Sequence, residues 1–456
     1  VDRLRETDLD DVIVVCSPGI GVGFEDVKNF RSAAPLTDAV HGRAVAARKW
    51  SPNCWRGGIG GATVYDELIV AAPMLEAMQA HQLDAVFVVG PDWPRLDPQL
   101  CNAVIARYRE NPAANPLTFS QAPPGLCGIV IARSLLEQMQ ADGAMFGSMI
   151  DYNPRAPQAD PIAKNVCVQI EPLIRQQMRR FTWDAQRWIE ELNHGGRGGT
   201  EAQRENLVPN SASPRLRGLR EYQQLVIELT PERPATGPVT PQHHAAIQRP
   251  PMSLDDAKRI IDRAAEVDDM AITFGGLGDA LRHPHWAELV EHARAVGIYG
   301  IHLETDLHVG QPTLERLAAL PIDVLSVRLN ADSPETYANL MGGDDLYVIM
   351  KRIDWLLKHR QPGGLQWVVP RMVKTTDNVH ELESFVDRWT YFAGHAVIER
   401  PPISDQAVID MSAGYKLADG WKRDVLHVLS NGMVVEENDW LGESAECSIF
   451  DVQCSV

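Results

Sequence analysis

The chain has 456 residues, enough for two or three domains with a core in each. Its net charge of -18 argues against a nucleic-acid backbone or an anionic membrane as main partner, since both attract a surplus of Lys and Arg. No apolar run approaches the ~20 residues of a membrane helix, and the start VDRLRETDLDD lacks the order of a signal peptide, so the expected location is the cytoplasm.

The seven cysteines are odd in number, lack CxxC spacing and read as reduced thiols. None occurs between Cys167 and Cys447, so a metal cluster in that interval would lack thiolate ligands. Beginning at Val1 in what reads as mid-helix, the chain is expected to be a fragment lacking its first strand.

From the N-terminus, residues 12–16 and 85–90 read as buried strands and 68–81 and 99–110 as helices. A third strand is expected at 128–132, and Ser134 is expected to cap a helix over 135–142, giving a parallel sheet covered by helices. Asp92 and Asp97 lie in the loop GPDWPRLDP, where carboxylates can hold a divalent metal and through it a diphosphate; alternatively Asp97 caps the next helix. Arg56, in CWRGGIGGATVYDE, is a candidate phosphate ligand, although the same glycines could make a flexible lid.

GPDWPRLDPQL, WRGGIGGATVYDE and TFSQAPPGLCGIVI together resemble the nucleotidyltransferase-like (GT-A, cytidylyltransferase-type) domain that precedes a radical SAM barrel in spiro-SPASM-like proteins. The resemblance implies that Asp92 helps bind the nucleotide's Mg2+. It also places the family's glycine-rich first loop before Val1. Residues 194–220, rich in Gly, Ser, Asn and Arg, read as a linker that closes a domain over 1–193.

Beyond the linker, six strands are expected at 224–229, 271–274, 299–303, 324–329, 367–372 and 396–399. Helices are expected at 254–267, capped by Ser253, and at 286–296, 314–320, 345–359 and 379–392. Such repetition closes most simply into a partial (β/α)6 barrel of TIM type, over 221–410. Its strand ends would bring Glu228, Asp279, Glu304, Thr305, Asp306, Arg328, Asn330, Arg371, Lys374, Glu399 and Arg400 to one mouth. That mixture of charges suits a zwitterionic or phosphorylated ligand. Gly275-Gly276-Leu277-Gly278-Asp279, after the second strand, would let backbone amides approach it.

IELT, MSLDDAKRIID, GGLGDALRHPHW, IHLETD and DVLSVRLNADSPETYANLMGG follow, in order and spacing, the motifs of the radical SAM barrel, which this half resembles. The resemblance implies an S-adenosylmethionine pocket. Gly276, Gly278 and Asp279 would receive the methionyl amino group, Thr305 and Asp306 match the T-N-G sequence after the third strand, and Arg328 and Asn330 complete the set. The family's CxxxCxxC is absent: the loop after the first strand reads ELTPERPATGPVTPQHHAAIQRP, with prolines and no cysteine. No 4Fe–4S cluster and no metal in the barrel are therefore expected. His243 and His244 are expected to face water, and His283 to position its loop.

In the tail, over 411–456, LHVL and MVV flank an Asn431-Gly432 turn and predict a hairpin. It resembles a SPASM extension in which Glu436 or Glu437 stands at a cysteine position, leaving only Cys447 and Cys454. Three functions compete. The first is a cluster-less radical SAM-like protein that binds a small molecule or peptide at the barrel mouth. The second is a nucleotide-sugar or cytidylyl transferase acting in the N-terminal domain, and the third is a non-catalytic scaffold for a partner protein. Whether the chain is an enzyme is left open by the sequence.

Overall fold

A computed structural model describes residues 2–16, 27–35, 38–51, 55–153, 155–175, 180–183, 219, 222–240, 247–399, 425–435 and 447–449. The chain divides into two compact units, Val1–Arg197 and Gly198–Val456. Among the described residues no helix is long and apolar enough to cross a membrane.

In the first unit, β1 (Ile13–Cys16) pairs in parallel with β2 (Lys28–Arg31), a strand without an apolar signature in the sequence. The main sheet has four strands: β3 (Ala85–Val88), β4 (Leu117–Ser120), β5 (Ile129–Ala132) and β6 (Cys167–Val168), in the order β3-β5-β4-β6. It is not the expected parallel sheet, because β5 runs antiparallel to both β3 and β4. β4 leaves little trace in the sequence, because its LTFS offers only two apolar residues and merges into the turn that follows. Once β4 takes the far edge of β5, the chain must reverse between them. Helices Ala71–Ala80, Pro98–Glu110 and Arg133–Asp142 accompany this sheet. Ser134 is not the cap: the last helix begins at Arg133, whose side chain donates to the Leu83 and Met78 carbonyls.

The second unit is built on a sheet with order β12-β11-β10-β9-β8-β7-β13-β14-β15. Its strands β7 (Gln224–Ile227), β8 (Ala271–Phe274), β9 (Gly300–Thr305), β10 (Val324–Arg328), β11 (Trp367–Val373) and β12 (Val397–Glu399) follow in sequence order, each parallel to its neighbour. Between them run helices Leu254–Ala265, Trp286–Ala295, Gln311–Ala319, Leu346–His359 and Leu382–Ala393. Ser253 caps the first of these, accepting from Asp256 N at 3.1 Å. A further helix, Pro334–Met341, follows a Ser333 cap. The tail forms the expected hairpin, β13 (Val425–Val428) with β14 (Met433–Val435), and Gly432 takes the positive φ of +80° that its turn requires. β13 also lies parallel to β7, and β15 (Cys447–Ser448) pairs with β14.

Period 2 along the strands separates two environments. Leu225 and Ile227, Ile272 and Phe274, Ile301 and Leu303, and Leu325 and Val327 belong to one large buried apolar cluster shared with the helices. Residues alternating with them are mostly polar and yet buried. A face of that kind is costly to build without a use, since each buried polar group needs a partner.

Candidate functional site

The polar face starts below the strand ends. Gln224 Nε2 donates to Thr273 Oγ1 at 2.6 Å, Thr273 Oγ1 lies 3.0 Å from His302 Nδ1, and His302 Nε2 lies 2.7 Å from Ser326 Oγ. Four adjacent strands thus contribute one side chain each to a chain of hydrogen bonds. His427 of β13, buried at the same level as Val226, extends the row. These five lie away from the strand ends that the sequence marks as site candidates. The signal was present as polar residues at alternate positions within otherwise apolar strands.

One level higher the face is charged. Glu304 accepts from Arg328 Nη2 at 3.0 Å, from Arg371 Nη1 and from Gly276 N at 3.1 Å, while Arg371 also pairs with Glu399. Burial works against the Glu304 carboxylate, but Arg328 and Arg371 overcome it and hold the group well below the usual carboxylate range. Both guanidinium groups keep a buried Nε with no hydrogen-bond partner among the described residues.

Beside this cluster stands the glycine turn. Gly276 has φ +90°, and its amide, expected to face a ligand, is taken by Glu304. At Gly278 a Cβ would collide with the Thr230 carbonyl, so this glycine permits the close approach of two chain segments. Its own carbonyl accepts from Arg233 Nη2 at 3.2 Å, and that of Gly276 from Arg328 Nη2 at 3.4 Å. Arginines of the chain therefore donate to both of these backbone oxygens, at positions that the resemblance assigns to a ligand's amino group.

Asp279 accepts from Leu281 N through Oδ1 and from Thr305 Oγ1 and Asp306 N through Oδ2, the latter two at 2.9 Å. Burial first, and then the neighbouring Asp306 carboxylate, push it up to about 6. Thr305 Oγ1 also accepts from Leu307 N, and Leu307 takes a left-handed φ of +57° at the end of this strand. Asp306 is fully buried, with Oδ2 3.7 Å from Arg233 Nε and Oδ1 without a hydrogen-bond partner among the described residues. Arg233 itself, from the proline-rich loop after β7, was not foreseen.

Other expected mouth residues have structural duties. Glu228 accepts from Arg249 Nε at 3.1 Å and Nη2 at 2.9 Å, and from Ser430 N of the hairpin at 3.1 Å. Asn330, at φ +58°, accepts from Val373 N, and its Nδ2 lies 3.0 Å from the Met341 sulfur, so its amide fixes two loops. Lys374 donates its backbone N–H to Glu399 O. His283 holds the Met252 carbonyl at 2.9 Å through Nε2, the positioning role expected of it. His243, His244, Arg400, Glu436, Glu437 and Cys454 lie outside the described residues.

In the first unit Asp97 caps its helix, accepting from Gln99 N and Leu100 N. Asp92 is half-buried in the same loop, its carbonyl accepting from Trp183 N at 2.7 Å. Arg56 pairs with Asp160 at 3.0 Å and lies over the Tyr152 ring, 5.8 Å from its centroid. The glycine loop beside it is held by a reciprocal cap between Thr63 and Asp66, and Asp66 also accepts from Gly147 N, which leaves little of the lid. Among the described residues no group of three His, Cys, Asp or Glu side chains is arranged to hold a metal ion.

The donor set after β7 does not suit an iron–sulfur cluster. Residues 228–250 contain no cysteine, and the loop instead buries the Arg233 guanidinium, a cation that would repel iron. Among the described residues, the free cysteines Cys16, Cys101, Cys127 and Cys167 are buried in the other unit.

No family model and no curated protein matches this chain. Among solved structures, Streptococcus suis SuiB bound to S-adenosylmethionine is similar over 47% of this chain and 60% of that chain, at 13% identity and a TM-score of 0.35. The chain thus spans less than two thirds of that structure's length. SuiB bound to the precursor peptide SuiA is similar over 71% of this chain and 77% of that one, at 13% identity and a TM-score of 0.39. For anSMEcpe with bound AdoMet and the Cp18Cys peptide the figures are 50%, 79%, 11% and 0.38.

Proposed function

We propose that the second unit is a cluster-less, radical-SAM-like partial barrel whose mouth binds a small zwitterionic molecule of α-amino-acid type, an S-adenosyl compound being the candidate. The six parallel strands in sequence order and the GGLGD and LETD motifs support that ancestry. On this reading 221–410 is the barrel, 411–456 a degenerate SPASM-like extension, 1–193 a nucleotidyltransferase-like domain and 194–220 a linker.

One observation carries the ligand class. Asp306 Oδ1, after β9, and the Nε atoms of Arg328 in β10, Arg371 in β11 and Arg233 in the loop after β7 are buried without hydrogen-bond partners among the described residues. Orphaned buried groups of both signs are rare unless something completes them. An ammonium group would satisfy the Asp306 oxygen, and a carboxylate the guanidinium N–H groups. Bound there, an S-adenosyl compound would supply an electrophilic sulfonium centre. Arg233, Asp306, Arg328 and Arg371 would bind and orient its amino-acid end.

Calorimetric titration of the chain with S-adenosylmethionine, S-adenosylhomocysteine and methionine tests the reading. Binding that weakens at least ~10-fold in Asp306→Asn, the scale of one charge-assisted hydrogen bond, is expected. Absence of heat with all three at millimolar concentration would overturn it. A stable iron–sulfur absorbance after anaerobic purification with iron and sulfide would remove the cluster-less part alone.

A further inference from the structure

We propose that a cavity formed by residues 231–233 and 247–249 of the loop after β7 and by the turn after β8 is a site for the phosphate group of a small phosphomonoester. The cavity has a volume of about 410 Å³ and is lined by Pro231, Glu232, Arg233, Ile247, Arg249 and Arg282. Small-molecule pockets span roughly 300–1,000 Å³, so there is room for the phosphate and the organic group it carries.

Three arginines and one glutamate contribute to its lining. Two of the three are already fixed. Arg249 is clamped on Glu228 through Nε and Nη2, and Arg233 is held by the Gly278 carbonyl and Asp306. Their orienting partners lie behind them in the protein, fully buried, so little side-chain freedom is lost when an anion arrives. Arg282 ends the short turn Ala280–Arg282, is exposed, and forms no ion pair among the described residues. The cavity brings together arginines of the loop after β7 and of the turn after β8, and a phosphate dianion has three terminal oxygens to pair with their N–H groups where a carboxylate has two. Pro231 and Ile247 supply apolar walls for the esterified group.

This site shares Arg233 with the amino-acid site but does not need the Asp306 oxygen, Arg328 or Arg371. The test is calorimetric titration of the whole chain with inorganic phosphate and with glycerol 3-phosphate. Both should bind, the ester more tightly. Arg282→Gln should weaken them ~10-fold and Arg282→Glu further, as for loss and then reversal of a charge-assisted contact. Because Arg282 is exposed, both variants should melt with the parent, and S-adenosylhomocysteine should bind them as it binds the parent. Failure of phosphate and ester to bind the parent at millimolar concentration, or unchanged binding by Arg282→Glu, would overturn the proposal. Loss of S-adenosylhomocysteine binding alone, with Arg282-dependent phosphate binding intact, would remove only the amino-acid reading.

Discussion

His427 shows how one side chain sets the response of the polar face to acid. Burial pushes its imidazole down to about 4, and the Glu304 carboxylate only partly offsets this. A histidine whose folded pKa is depressed contributes stability that is present above its unfolded value near 6.5 and is lost as pH falls through the folded value. Asp279 works in the opposite sense. With a folded pKa raised to about 6, its contribution is present below the ordinary aspartate range and is lost as pH rises through 6. The two can be separated by comparing urea unfolding of the parent and His427→Leu at pH 7 and pH 4.5, because Asp279 is common to both proteins. The parent's advantage over the variant should shrink by on the order of 2 kcal/mol at the lower pH. A difference that stays constant between the two pH values would refute this account of His427.

Among the elements, the C-terminal hairpin depends on a residue about 200 positions earlier. Glu228 N donates to Val428 O at 2.8 Å, and its carboxylate holds Ser430 N and Arg249 together. Glu228→Gln would leave the Arg249 guanidinium without its buried counter-charge, at a cost of about 3 kcal/mol. Amide exchange should then accelerate at Val428 and Ser430 more than at β9 or β10. Equal protection of the hairpin in parent and variant would show that β13 pairing alone holds it. This long-range tie also marks the limit of what the sequence discloses. Strands β8 and β10 and their helices were legible, because periods of 2 and 3.6 are local properties of a short window. So was the hairpin, through Asn431-Gly432. The pairing of β13 with β7 was not, since no local signal links residues 224–227 to 425–428. The same holds for the site. Asp279, Glu304 and Arg328 could be named as strand-end residues, whereas Arg233 enters from a loop whose path depends on Gly237 packing against the Leu340 carbonyl. Nor could spacing show that Gly276 and Gly278 serve the chain's own Glu304, Arg233 and Thr230.

For the whole molecule, the distribution of buried apolar residues makes a thermodynamic statement. One core cluster draws its residues from Leu4 to Val168 and the large one from Leu219 to Ile449, so neither crosses the division between Arg197 and Gly198. Domains with separate cores unfold as separate cooperative units unless an interface couples them strongly. Scanning calorimetry of the full chain should therefore resolve into two transitions. Glu228→Gln supplies the discriminating perturbation, because its contacts lie wholly in the second unit. A loss of about 3 kcal/mol there should lower one midpoint by roughly 6–12 °C and leave the other in place. Movement of both midpoints together, or one transition shifting as a whole, would mean that the two cores fold as a single unit. The amino-acid site would then be coupled to the stability of the first unit.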